Sequence, residues 1–423
     1  MINLYNNDIV FPQYVKFLEN QDNVIIINGC TGFWGLIDTQ IFDKINHCIQ
    51  NKISPASYIS SLENEPDRQQ LTEIFQTLIE EEMIKSSVDK EYKIDIKEVE
   101  FKMTNKCNLK CIHCAASSDI SQSDLLSTDQ IKTIFDKIFN LNLESLILTG
   151  GEILIRKDIK ELLQYARQNY KGEINILTNG TYIDKEMALL LKECVSAVSI
   201  STDGYDEESV DFVRGKGIYN IIMNAIAHLK EAGFGKDTII LSMTSTKQNS
   251  KHIEDFNTMC EKLNVTGGVR EFTASGRGLE NFDIIGKKEY LTNNSGGIEE
   301  IEKIRESMKC RLFCRGGITK FSIDESGNMY PCLFLENEEY ILGNILKDDL
   351  NELLKSEGYH EQIKNKMRKS MLDTIDKCKD CKVRYFCADN CPGMNISHFN
   401  NIEIREERCM QMKPYLAKVV WDE

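Results

Sequence analysis

The spacing of apolar residues changes several times along the chain, and each change marks an element. Near the start, VIIING (24–29) is a run of apolar, mostly β-branched residues. TGFWGLI (31–37) follows it across a turn at Gly29–Gly32, so the pair reads as two short strands. DTQIFDKINHCIQN then takes helical spacing with Asp38 or Thr39 as its cap. ISPASYISSLENE and DRQQLTEIFQTLIEEEMI continue as two more helices. A strand hairpin with three helices predicts a small winged-helix-like domain over residues 1–95, and the charged stretch SSVDKEYKIDIKE (86–98) forms the joint.

From residue 96 to about 300 strand and helix patterns alternate. The strands are VEFKMT (99–104), SLILTG (145–150), INILTN (174–179), AVSIST (197–202), TIILSMT (238–244) and GVREFT (268–273). One helical pattern opens on a capping box at Ser127-Thr128-Asp129-Gln130, and others begin near Asp158, Asp184, Gly217 and Asn249. Six βα units predict an α/β fold with a parallel sheet, either a partial barrel or an open doubly wound sheet. In both, ligands gather at the C-terminal ends of the strands. From about 310 periodicity gives way to cysteines, turns and short pieces, so residues 301–423 read as a domain held together by metal.

Composition narrows the partners. The 423 residues are 41% hydrophobic and 28% charged, as in a globular protein, and the net charge of −15 disfavours nucleic acid and anionic membranes. MINLYNND lacks the basic and apolar regions of a signal peptide, and no apolar run approaches a membrane span. The expected location is the cytoplasm.

Fifteen cysteines are many for such a chain, and they cluster: three lie in 107–114 and eight in 310–409. Cys30, Cys48, Cys194 and Cys260 stand apart, and the last two sit in helical apolar patterns that read as core. The stretch KCNLKCIHC places Cys107, Cys111 and Cys114 as C-x3-C-x2-C. A structural zinc site wants four ligands and a disulfide wants pairs. Three thiolates suit a four-iron cluster with one iron left open, where a substrate can bind. The short motifs TGGE (149–152), LTNG (177–180) and STDG (201–204) each follow a predicted strand. Each alone is an ordinary glycine turn. Their shared place at strand ends, beside the cysteine triad, makes them parts of one site.

C-x3-C-x2-C after the first strand of a six-unit βα array, with GGE after the second, resembles the radical S-adenosylmethionine (radical SAM) superfamily over roughly residues 97–290. The resemblance implies a partial (β/α)6 barrel and a [4Fe–4S] cluster on Cys107, Cys111 and Cys114, whose fourth iron is chelated by the amine and carboxylate of S-adenosylmethionine (SAM). In that family one electron cleaves SAM to methionine and a 5′-deoxyadenosyl radical, which abstracts a hydrogen atom. It further implies that Gly150 and Gly151 admit the backbone to the SAM amine and that Glu152 receives it. Ser201 and Asp203 match the ribose-side motif, Asn179 falls near the ribose, and Arg214 in VDFVRG falls at the SAM carboxylate. His113 replaces an aromatic residue common before the third cysteine and can pack over the adenine. No general base is assigned.

The second group reads Cys310-x3-Cys314-x17-Cys332, then Cys378-x2-Cys381-x5-Cys387-x3-Cys391, then Cys409, with Gly327 five residues before Cys332. It is similar to the SPASM domain. By that family's crossed pattern Cys310, Cys314, Cys332 and Cys391 hold one auxiliary [4Fe–4S] cluster, and Cys378, Cys381, Cys387 and Cys409 hold another, making three clusters in the chain. Two zinc sites are the alternative. The N-terminal domain resembles the PqqD-like recognition element of enzymes that modify ribosomally made peptides, which captures a leader peptide as an added strand.

Taken together the resemblances imply a peptide maturase that joins a peptidyl cysteine sulfur to a carbon of a precursor peptide, of sactipeptide or ranthipeptide type. Its partners would be that precursor, with its leader on residues 1–95, and an electron donor such as flavodoxin or ferredoxin. Carbon–carbon crosslinking uses the same parts. An anaerobic sulfatase-maturase type of dehydrogenase would place an aspartate where Leu333 stands. A non-enzymatic iron–sulfur or zinc scaffold that binds peptides would leave TGGE, STDG and Arg214 as coincidence.

Overall fold

A computed structural model describes residues 6–85, 93–286, 304–305, 308, 314–367, 371–387, 391–393 and 402–421. Cys310 lies outside the described residues. The N-terminal part forms an antiparallel sheet, β1 (Val15–Asn20), β2 (Asn23–Asn28) and β3 (Trp34–Asp38), in the order β1-β2-β3. The second and third are the strands expected from the sequence. β1 escapes that reading because the apolar residues of VKFLEN do not hold a period of two. Helices α1 (Thr39–Gln50), α2 (Pro55–Ser61) and α3 (Glu65–Glu80) follow. The Asp38 side chain caps α1 by accepting from the Gln40 amide, and Ser54 caps α2.

The run of four apolar residues in β2 has a direct cause: the sheet is covered on both faces. Val24 and Ile26 pack with Phe42, Ile45, Leu71 and Phe75 of the helices. Ile25 and Ile27 face the other way, against Val383, Phe386, Leu416 and Trp421. A strand buried on both sides reads as a continuous apolar run instead of an alternation.

The six expected parallel strands are β4 (Glu98–Lys102), β5 (Ser145–Thr149), β6 (Glu173–Thr178), β7 (Ala197–Ser201), β8 (Ile239–Ser245) and β9 (Thr266–Glu271), hydrogen-bonded in that order. Helices α4 (Thr128–Phe139), α5 (Ile159–Asn169), α6 (Lys185–Cys194), α7 (Glu207–Arg214), α8 (Ile218–Glu231) and α9 (Ile253–Lys262) lie between them. The Ser127–Gln130 capping box forms as expected. On β4, Val99 and Phe101 pack outward, Phe101 meeting Phe135 of α4 edge-on, while Glu98, Glu100 and Lys102 take the other face.

The sheet continues past the sixth strand on its opposite side. β10 (Lys320–Ile323) pairs parallel with β4, and β11 (Asn328–Tyr330) and β12 (Gly343–Asn344) add antiparallel strands, giving nine among the described residues. Phe321, Ile323 and Met329 therefore join the barrel's core, so this part of the C-terminal region rests on the barrel instead of building its own core. Among the described residues no helix is long and apolar enough to cross a membrane.

Candidate active site

The motifs after β4, β5, β6 and β7 meet around one cavity of about 300 Å³. Its wall includes Cys107, Cys111, Cys114, Gly150, Gly151, Asn179, Ser201 and Arg214. The loop after β5 is laced to the cysteine loop through backbone: Gly151 N donates to Thr104 O (2.8 Å) and Glu152 N to Lys106 O (2.8 Å). A Cβ on Gly150 would lie 2.8 Å from Thr104 O, and one on Gly151 would lie 2.6 Å from Lys106 O. Only glycine permits that approach.

Glu152 and Asp203 do not line the cavity; they sit behind its wall. The Glu152 carboxylate is fully buried and accepts from Thr178 Oγ1 (2.8 Å), Leu154 N (2.9 Å) and Asn179 N (2.6 Å). Burial raises its pKa, against the pull of those hydrogen bonds. Its place in the structure is to tie the loop after β5 to the end of β6. Asn179 reaches the wall, but its side chain is engaged: Nδ2 donates to Asn108 Oδ1 (3.0 Å) and toward Cys107 Sγ (3.8 Å), and Oδ1 accepts from Thr181.

Asp203 stands at φ +58°, a left-handed conformation unusual outside glycine. One carboxylate oxygen faces both Arg214 and His113 Nε2 (3.0 Å), and the other accepts from Thr244 N (2.6 Å). Burial alone would raise its pKa, yet the Arg214 guanidinium and His113 hold the carboxyl far below the usual range. Arg214 Nη1 also points to Cys111 Sγ (3.9 Å). Two buried polar atoms on this network, His113 Nδ1 and Arg214 Nε, have no partner among the described residues, and both residues line the cavity. Such orphaned groups mark a ligand's place.

Burial pushes the Cys107 thiol up to about 11 and raises Cys111 as well. Thiolates form there only with a strong cationic partner, which iron supplies. The donor set, the glycine cradle and the orphaned polar atoms fit a cluster with SAM beside it.

The wall holds more than the sequence reading found. Arg270, Glu271, Phe272 and Thr273 come from the end of β9 and the residues just after it, Arg277 from the short helix Gly276–Glu280 that follows, and Phe334 from the C-terminal region. The strand-end rule applied to GVREFTASGRG would have found the first five; nothing local marks Phe334.

Among the described residues the C-terminal cysteines fall into two groups. Cys378, Cys381, Cys387 and Cys409 line one cavity of about 550 Å³, and Arg405 Nη2 donates to Cys378 Sγ (2.9 Å). Cys314, Cys332 and Cys391 lie close together: burial raises Cys314 and pushes Cys332 up to about 12, and the neighbouring thiols add to both shifts. Among the described residues no three His, Cys, Asp or Glu side chains close on a single point as a mononuclear site requires.

The radical SAM superfamily profile matches residues 101–260, and that of an iron–sulfur cluster-binding domain, SPASM, matches 314–382. A mycofactocin maturase of Mycolicibacterium smegmatis is 30% identical over 266 residues, covering 59% of this chain and 67% of the relative. The chain belongs to the radical SAM superfamily. This radical SAM enzyme is also 28% identical, over 277 residues, to the subtilosin biosynthesis protein AlbA of Bacillus subtilis, covering 62% of this chain and 60% of that one. The Streptococcus suis SuiB structure bound to precursor peptide SuiA shares the fold, with a TM-score of 0.54 at 16% identity over 90% of this chain and 95% of that chain. As a radical SAM enzyme with a SPASM domain, the protein binds SAM and iron–sulfur clusters.

Proposed function

We propose that the protein is a cytoplasmic radical SAM peptide maturase that joins a cysteine sulfur to a carbon of a ribosomally made precursor peptide. The observation that carries this reading is the union, on one chain, of a radical-generating cavity with a small N-terminal sheet whose edge strands are β1 and β3. On β3 the large apolar side chain of Leu36 is exposed. An open edge can take an extended peptide as a further strand, holding the rest of it near the barrel mouth. Relatives named for making or maturing a peptide product, the subtilosin biosynthesis protein AlbA and the sporulation killing factor maturation protein SkfB of Bacillus subtilis, support the substrate class.

With SAM and a reduced cluster bound, the site would supply radical hydrogen-atom abstraction, through a 5′-deoxyadenosyl group, from a substrate carbon. Cys107, Cys111 and Cys114, which line the cavity, would hold the cluster. Arg214, kept cationic by Asp203, offers its charge to the SAM carboxylate, and the paired glycines leave room for the backbone to approach its amine. Cys378, Cys381, Cys387 and Cys409 would hold one auxiliary cluster, and Cys314, Cys332 and Cys391, with Cys310, would hold the other. In the overall reaction a C–H and an S–H bond of the peptide and the C5′–S bond of SAM would break and a C–S bond would form. One hydrogen ends on 5′-deoxyadenosine, the other leaves as a proton, and the remaining electron returns to a cluster in place of the one that cleaved SAM. The peptide thus loses two hydrogens with SAM as the net oxidant. An alkylation test decides the bond type. After reaction with its precursor, a peptide lighter by two hydrogens whose cysteine no longer reacts with iodoacetamide is the expected product. A product of that mass with its cysteines still reactive would exclude the thioether.

A further inference from the structure

The N-terminal sheet and the second auxiliary site share a wall. Ile25 and Ile27 are fully buried, at 0% exposure, in a cluster with Leu18, Tyr385, Phe386, Val420 and Trp421. Four further members, Cys381, Val383, Met412 and Leu416, also line the cavity of Cys378, Cys381, Cys387 and Cys409. Polar contacts fasten the seam. Lys382 Nζ donates to Asn20 Oδ1 and Trp34 Nε1 to Met308 O (2.8 Å) across it, while on the C-terminal side Trp421 Nε1 donates to Lys382 O (2.9 Å). The Trp34 ring meets Phe386 edge-on at 4.9 Å.

The C-terminal side of this seam has little structure of its own. Between Met371 and Cys387 the regular elements are the 3-10 turns Met371–Thr374 and Arg384–Phe386. Such turns lack a ladder that could hold a shape alone. Their side chains Val383, Tyr385 and Phe386 must nonetheless present a fixed apolar surface to β2. Three cysteines within this segment and Cys409 on the helix Ile402–Trp421 give a metal four points from which to shape both.

We propose that the second auxiliary site is the latch that fixes the N-terminal module to the catalytic body. This rests on the reading that its four thiols hold a cluster. The cluster shapes the 378–387 turns and aligns them with the helix at Cys409, and β2 docks on the result. A peptide held by the module is thereby carried at a fixed distance from the radical cavity. Loss of this one cluster uncouples the module while leaving the barrel's own site intact.

The chain's two tryptophans, Trp34 and Trp421, both lie in this seam, so the wavelength of intrinsic emission reports it. The test uses the full chain, reconstituted without oxygen, as wild type, Cys378→Ala/Cys381→Ala and Ile27→Asp. Iron content, emission maximum, SAM cleavage and limited trypsin digestion at Lys90 or Lys93 are measured on each. Both variants are expected to lose about four iron atoms per chain. Their emission should shift to the red and trypsin should release the module, while 5′-deoxyadenosine formation persists. Unchanged iron in Cys378→Ala/Cys381→Ala would overturn the cluster reading at those thiols. Four irons lost with emission and digestion unmoved would overturn the latch and leave the cluster reading standing. Full iron retention in Ile27→Asp would also overturn the latch.

Discussion

Replacing Asp203 by asparagine isolates what the buried pair at the SAM cavity contributes. Asp203 and Arg214 have side chains only 2% and 6% exposed, so water screens neither. The substitution keeps the shape but leaves the Arg214 guanidinium buried without its counter-charge. Breaking a buried pair by removing one partner costs about 3–5 kcal/mol. For a body the size of the barrel, roughly 2–4 °C of melting temperature accompanies each kcal/mol, so a fall of about 6–20 °C is expected. Melting is followed by far-ultraviolet circular dichroism, because the tryptophans report a different region. The partner experiment is Asp203→Asn/Arg214→Met, which removes both charges. Replacing a whole buried pair by apolar groups is often nearly neutral, so the double variant should recover most of the lost stability. It should not recover SAM binding, measured by calorimetry, because the cation facing the carboxylate is gone. A double variant no more stable than Asp203→Asn, or a single variant within about 1 kcal/mol of wild type, would refute this reasoning.

Gly151→Ala drives a Cβ against the Lys106 and Asn105 carbonyls, 2.6 and 2.8 Å away, and overpacking of this kind costs about 1–3 kcal/mol. SAM affinity should fall roughly ten- to hundredfold by calorimetry, and an unchanged affinity would mean the two loops need not meet so closely. Glu152→Gln places a buried amide donor among three donors, at about 1–3 kcal/mol, and should lower the melting temperature while 5′-deoxyadenosine formation persists at a reduced rate. Complete loss of SAM cleavage with unchanged stability would instead place this carboxylate on the ligand. Leu36→Pro removes a strand donor from β3 and should abolish leader-dependent peptide modification while sparing SAM cleavage, both read by liquid chromatography and mass spectrometry. The reconstituted wild type should carry about twelve iron atoms per chain; about four, or stoichiometric zinc, would contradict the auxiliary sites.

The barrel was legible because each of its strands carries its own local pattern, and because the motifs sit at strand ends where topology alone brings them together. The interior of the site was less so. Glu152 reads as a ligand from its motif, yet the fold turns its carboxylate toward Thr178 and the Leu154 and Asn179 amides. Spacing within one segment cannot show which way a side chain at a loop end will turn. The Asp203–His113 contact spans 90 positions of chain and has no local signature. β10 was missed because FSI is a short apolar piece in a turn-rich region, and only its pairing with β4 makes it a strand. In β2 the signal was present and under-read: four apolar residues in a row already say that a second surface must cover the sheet, although not that Val383, Leu416 and Trp421 provide it.

The most direct test of peptide maturation is one reaction: the reconstituted, reduced enzyme with SAM and a short cysteine-containing peptide drawn from the reading frames that neighbour its gene, followed by mass spectrometry. The expected result is 5′-deoxyadenosine together with a peptide lighter by two hydrogens, both absent in Cys107→Ala/Cys111→Ala/Cys114→Ala. Formation of 5′-deoxyadenosine with the peptide mass unchanged under saturating SAM would contradict it.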